Sequence, residues 1–174
     1  MTTQPLAGEG EGEGGTLSTI GLTMIDTYIK EIASITKRGD AREESYYPAF
    51  AELLEWFSET KRKKQAHVTV LPKKTEAGNP DFRVWDGKHT QVGYVEAKPP
   101  GADLDEIETS DQLKRYISTF PNLILTNFYE FRLYRYGQRV AHVLLARAYI
   151  PTKLKTIVKV TIFRNPGSFF SGCR

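Results

Sequence analysis

Gln91-Val92-Gly93-Tyr94-Val95-Glu96-Ala97-Lys98, closed by Pro99-Pro100-Gly101, is the stretch on which the fold turns. It is apolar from Val92 to Ala97 and stopped by two prolines, the pattern of a buried strand. Side chains on a strand alternate faces, so Glu96 and Lys98 project together while Ala97 points into the opposite layer. A carboxylate and an ammonium in so apolar a strand are costly unless they serve something. The bland alternative is a cross-strand pair on an exposed edge, worth at most about 1 kcal/mol. Upstream stands the tight turn Asn79-Pro80-Asp81, with fourteen residues between Asp81 and Glu96. Asp after Asn-Pro is also a common turn residue in its own right. Taken together, two hard oxygen ligands and one ammonium are what metal-assisted hydrolysis of a phosphodiester requires.

Working outward, the spacing predicts strands at 67–71 and 81–85. The second forms a hairpin with 91–98 through Asp86-Gly87. Leu22, Ile25, Tyr28, Ile29, Ile32 and Ile35 make one helical stripe that Gly39-Asp40 breaks. A second helix carries Tyr46, Phe50, Leu53, Leu54 and Phe57 on one face. Pro48 is tolerated only in a first turn, so this helix begins near Ser45 and sets Glu43 and Glu44 at its entrance. Downstream, 103–108 reads as a single helical turn and 111–120 as a helix with Leu113, Ile117 and Phe120 toward the core. The short apolar run 122–126 reads as a central strand. Strands at 131–136 and 140–145, joined at Gly137-Gln138, complete a mixed sheet flanked by helices, an α/β layer arrangement.

The 174 residues, 40% of them apolar, suit one domain with a real core. Residues 1–17 are Gly- and Glu-rich with nothing to bury and read as a disordered tail. The domain proper runs from 18 to 145. Residues 146–174 read as a poorly patterned extension, fitting a truncated linker, with one further strand at 154–163. No apolar run approaches a membrane span and no signal peptide opens the chain. The one cysteine, Cys173, allows no internal disulfide, which fits a reducing cytoplasm. A net charge of +3 decides little, but Lys61-Arg62-Lys63-Lys64 and Lys73-Lys74 cluster ahead of the acidic motif. Such runs neutralise nucleic-acid phosphates or simply solvate a helix end and a loop.

Asn79-Pro80-Asp81, Glu96-Ala97-Lys98 and Gln112-Leu113-Lys114-Arg115-Tyr116, in this order, resemble the PD-(D/E)XK nuclease superfamily. More narrowly, the run from Glu43-Glu44-Ser45-Tyr46-Tyr47-Pro48-Ala49 to Phe131-Arg132-Leu133-Tyr134 is similar to the nuclease domain at the front of fused, single-polypeptide restriction–modification enzymes. The resemblance implies a restriction-endonuclease-like α/β core and Mg²⁺-dependent hydrolysis of DNA, with Mn²⁺ able to substitute. It implies that Asp81, Glu96 and the Ala97 carbonyl hold the metal and that Lys98 orients or deprotonates the water. A glutamate from the early helix completes such sites; Glu43 aligns best and Glu44 stays open. Gln112 and Tyr116, four residues apart on one helix face, reach the phosphate or the metal waters. Against these roles, Gln112 follows Thr109 at the spacing of a capping box, and Tyr116 fits ordinary helix packing.

DNA contacts are expected from Lys61, Arg62, Lys63, Lys64, Lys73, Lys74 and Arg115. A methyltransferase or specificity module is expected in a longer protein or on another chain. Two other readings remain: a non-catalytic DNA-binding remnant, and a structure-specific repair or junction nuclease. His67, His89 and His142 lack metal-ligand spacing, and no Gly-rich phosphate loop precedes a helix.

Overall fold

Residues 19–62 and 65–147 are described by a computed structural model of the chain. The predicted helical stripe forms α1 (Thr19–Arg38), three residues longer at its start than the apolar spacing alone predicts. The second helix opens earlier than Ser45, as a 3-10 turn over Glu43–Tyr46 that runs into α2 (Tyr47–Arg62). Pro48 therefore sits in the first α-helical turn, where its missing N–H costs nothing. Strands β1 (His67–Val70), β2 (Phe82–Trp85) and β3 (Gln91–Ala97) follow. Then come α3 (Leu104–Glu108), α4 (Asp111–Thr119), β4 (Asn122–Thr126), β5 (Glu130–Arg135) and β6 (Gln138–Leu144).

The six strands lie in sequence order in one sheet. All neighbours pair antiparallel except β3 and β4, which are parallel. A parallel pair needs a long crossover, and α3 with α4 is that crossover. Period-two alternation then separates two cores. Phe82, Val95, Ala97, Phe131, Leu133 and Val143 pack against α1 and α2. Tyr94, Leu123, Leu125 and Tyr134 face Leu104, Leu113, Tyr116 and Phe120 from α3 and α4. The sheet flanked by helices on both faces is the mixed α/β architecture the sequence implies, compatible with a restriction-endonuclease-like core.

Several strand boundaries shift by one or two residues, and three of the shifts have a clear local cause. Leu71, the expected end of β1, leaves the strand with φ +47° while its N–H donates to the Asp81 carbonyl at 2.7 Å. Asp81 stands just before β2 because its carboxylate, not its main chain, meets β3. The last hairpin turns at Tyr136-Gly137, one residue earlier than expected, and both residues have positive φ, as a two-residue type I′ turn demands. The loop from β2 to β3 is pinned by Asp86, whose Oδ1 accepts from the Lys88 and Thr90 N–H groups. Gly87 is required there. Its φ is +76°, and a Cβ would lie 2.0 Å from the Gln65 carbonyl oxygen.

The expected tail at 1–17, the strand at 154–163 and Cys173 fall outside the described residues. At the C-terminal side, Leu145 donates its N–H to the Tyr129 carbonyl at 2.7 Å, and Leu145 and Ala146 are buried in the α1/α2 core. No helix among the described residues is long and apolar enough to cross a membrane.

Candidate active site

Phe82 pairs with Val95 across β2 and β3, so continuing that register sets Asp81 beside Glu96. Buried Pro80 cannot extend the ladder, and the strands part there. The Asp81 carboxylate fills the gap: Oδ2 accepts the Ala97 N–H at 2.8 Å and Oδ1 accepts the Tyr47 hydroxyl at 2.7 Å. The loop before it is clamped from α4. Arg115 donates Nε–H to the Ala77 carbonyl at 2.7 Å, and the Tyr116 ring lies against Gly78, where a Cβ would come within 2.8 Å of the hydroxyl. Gly78, at φ +138°, is thus required both for its backbone and for the space above it.

Glu96 and Lys98 project to the same side of β3, as period two demands. Lys98 lies just past the strand, fixed by its N–H to the Thr126 carbonyl at 2.8 Å, and its Nζ meets Glu96 Oε1 at 2.6 Å. Glu96 is only 3% exposed. Gln112 Nε2 donates to the same Oε1 at 2.9 Å and lies 3.3 Å from the Tyr116 hydroxyl. The N-cap of α4 is Ser110, accepting from the Leu113 N–H, rather than Thr109. Gln112 is therefore not a capping residue and its amide is free to point at Glu96.

Glu43 and Glu44 separate clearly. Glu44 is exposed, whereas Glu43 is half-buried and its Oε1 lies 2.9 Å from the Tyr47 hydroxyl. Tyr47 thus stands between two carboxylates, Glu43 and Asp81, with one phenolic proton to give. The shorter contact is to Asp81. Tyr47 was not among the expected site residues. Its ring belongs to the core, against Phe82 at 4.6 Å, and only its hydroxyl reaches the site.

The charges act on one another. Burial, and next the Asp81 charge, push the Glu96 carboxyl up to about 7. Burial likewise raises Glu43, partly offset by Lys98. Burial works against the Lys98 ammonium, but Glu96, Glu43 and Asp81 together more than offset it and raise Lys98. The two directions compete within the pair, since Lys98 gains only from an ionised Glu96. The 2.6 Å contact becomes an ion pair once Glu96 is ionised, above its raised value. Glu96 Oε2 is buried and has no hydrogen-bond partner. An orphaned carboxylate oxygen beside a second carboxylate is a place where a hard cation stabilises both, so the donors fit a divalent ion. Among the described residues, no group of three or more His, Cys, Asp or Glu side chains is arranged to hold a metal. Any ion here rests on two carboxylates completed by main-chain oxygen and water.

The expected DNA contacts come from three separate segments of the chain. Lys73 and Lys74 are exposed after β1. Lys61 and Arg62 close α2, and Lys63 and Lys64 fall outside the described residues. Arg115 is exposed but its Nε is engaged with the Ala77 carbonyl.

No family model matches the chain, and no curated protein does. Among solved structures it is similar to a chain of a cryo-EM structure of a DrdV–DNA complex, with 25% sequence identity and a TM-score of 0.56. The similarity covers 71% of this chain and 12% of the other, so the chain spans a small part of the length of the one it matches.

Proposed function

We propose that this chain is a Mg²⁺-dependent endodeoxyribonuclease domain, the cleavage module of a restriction–modification system in the cytoplasm. The observation that carries the reading is the meeting of Asp81, Glu96 and Lys98 at the parted ends of β2 and β3, with Glu96 Oε2 left without a partner. The fold likeness to a chain from a DNA complex supports DNA as the substrate.

Asp81, Glu96 and the Ala97 carbonyl would hold the Mg²⁺, or Mn²⁺ in its place. When bound, that ion lowers the pKa of a water and offsets charge on the phosphate. The chain's own residues do the rest. Lys98, held as an ammonium by its acidic neighbours, is a donor rather than a base. It orients the attacking water and neutralises a phosphate oxygen, which fits hydrolysis without a covalent intermediate. Tyr47 holds the Asp81 carboxylate in place and couples it to Glu43. Gln112, steadied by Tyr116, sets the rotamer of Glu96 and leaves Oε2 facing the site. Lys61–Lys64, Lys73, Lys74 and Arg115 would contribute phosphate contacts, and a methyltransferase or specificity module elsewhere would supply sequence readout.

Nicking of supercoiled plasmid tests the reading. Wild type should cut with Mg²⁺ or Mn²⁺ and stop with chelator, while Asp81→Ala and Lys98→Ala should each lose about a hundredfold or more. Unchanged cutting by either variant would reject the site. DNA binding with no cutting by the wild type would leave the chain as a non-catalytic DNA-binding module.

A further inference from the structure

Arg83 lies two residues beyond Asp81 on β2, about 7 Å along the strand. Its guanidinium is held over two rings, 5.6 Å from Trp85 and 5.5 Å from Tyr94. Tyr94 is itself backed by Phe120 at 4.0 Å, and Trp85 is fixed through Nε1–H to Thr69 Oγ1 at 3.0 Å. The plane of the guanidinium is therefore set in advance. Its hydrogen-bonding capacity is nevertheless underused. Nη2 reaches only the Lys73 carbonyl, at 3.4 Å, and Nε has no partner. No described carboxylate forms an ion pair with Arg83, although Arg132 on β5 gathers three.

The face on which Arg83 stands is open. The α3/α4 layer packs on β3, β4 and β5, and its core includes no residue of β1 or β2. Lys73, whose carbonyl meets Arg83, and Lys74 are exposed on the loop after β1. Of the nearby acids, Asp86 is engaged by the Lys88 and Thr90 N–H groups, and Glu76 is exposed on the loop beyond the lysines. A preset, unpaired guanidinium with flanking ammonium groups is complementary to a phosphodiester.

We infer that Arg83 binds the phosphate flanking the scissile one on the same DNA strand, with Trp85 and Tyr94 holding its guanidinium plane. The inference rests on the nuclease reading, and it adds a subsite there: Arg83 stands two residues on from Asp81, the distance scale on which phosphates follow one another along a chain. Lys73 and Lys74 extend the cationic track outward from it.

The test is fluorescence anisotropy of the full chain on a duplex DNA in Ca²⁺ buffer, over a range of salt concentrations. Arg83→Gln should raise Kd about tenfold or more and reduce the slope of log Kd against log salt by about one. Arg83→Lys, which keeps charge but not the stacked plane, should fall between. A series of duplexes each carrying one neutral methylphosphonate gives a second measurement, read first on the wild type. One position next to the cut should weaken wild type about tenfold, and the same substitution should add nothing in Arg83→Gln. An unchanged Kd and salt slope, or full additivity at that position, would overturn the subsite. The two readings fail separately: wild type that binds but never cuts rejects the nuclease alone, and wild type that cuts while Arg83→Gln keeps its salt slope rejects the subsite alone.

Discussion

Glu96 carries the sharpest conflict between residue and surroundings. A carboxylate that is 3% exposed, paired on one oxygen and unsatisfied on the other, holds its proton more tightly than in the unfolded chain. With its folded value up at about 7 against an ordinary 4.5, the folded state binds the extra proton between those limits. Stability of the metal-free protein should therefore be greatest below about pH 4.5 as far as this group is concerned, and should fall as pH rises toward 7. The loss is on the order of 3 kcal/mol. Denaturant unfolding across that window should show the slope in wild type and a flatter profile in Glu96→Gln, whose amide oxygen still accepts from Lys98; equal slopes would contradict it. That Glu96 and Lys98 share a side was legible from period two alone. The choice of Glu43 over Glu44 was not, because a 3-10 turn repeats every three residues and the sequence read as an ordinary helix start. Tyr47 was invisible for a different reason: a core ring gives an apolar signal, and a hydroxyl emerging at a site adds none.

Elements position these residues through a few tight contacts. α4 reaches the site with Gln112, packs Tyr116 over Gly78, and holds Ala77 through Arg115. Its helical pattern is clear in the sequence, where Thr109 three residues before Gln112 also offers a capping role for Gln112 that Ser110 fills instead. Arg115 was expected on DNA because an exposed helix cation gives no sign of an internal carbonyl partner. The two hairpins and the mixed sheet followed from the sequence of elements, whereas the strand ends did not, because Leu71, Asp81 and Tyr136 leave the ladder through backbone conformation and side-chain substitution. Gly78→Ala tests the clamp. With φ at +138° and a Cβ 2.8 Å from the Tyr116 hydroxyl, the variant should lose about 1–3 kcal/mol. Thermal unfolding would read this as a lower Tm, and cutting should fall with it as Asp81 is displaced. An unchanged Tm would show that the loop is not held there.

At the scale of the molecule, one cation ties α3 to the sheet two strands across from the site, in the row that runs from Glu96 through Leu125 to Arg132. Arg132 is 5% exposed and meets Asp105 at 2.8 Å, Glu108 at 3.0 Å and Glu130 at 2.6 Å, joining α3 to β5. Glu108 also accepts from the Tyr134 hydroxyl and meets Arg139, and Glu130 meets His142 at 3.0 Å. Removing the shared cation leaves Glu108 and Glu130 partly buried with unneutralised, mutually repelling charge. Arg132→Met should cost about 3–5 kcal/mol, read as a lower denaturant midpoint at unchanged m-value; a loss below about 1 kcal/mol would mean that the network is only decorative. The layered fold and the convergence at the parted ends of β2 and β3 together make one demand, that Asp81 and Glu96 share a divalent cation. Isothermal titration of the metal-free protein with Mn²⁺ measures it directly. Wild type and Lys98→Met should take up the ion, and Asp81→Asn and Glu96→Gln should each abolish or greatly weaken uptake. Equal Mn²⁺ affinity in all four proteins, or none in wild type, would contradict the shared site.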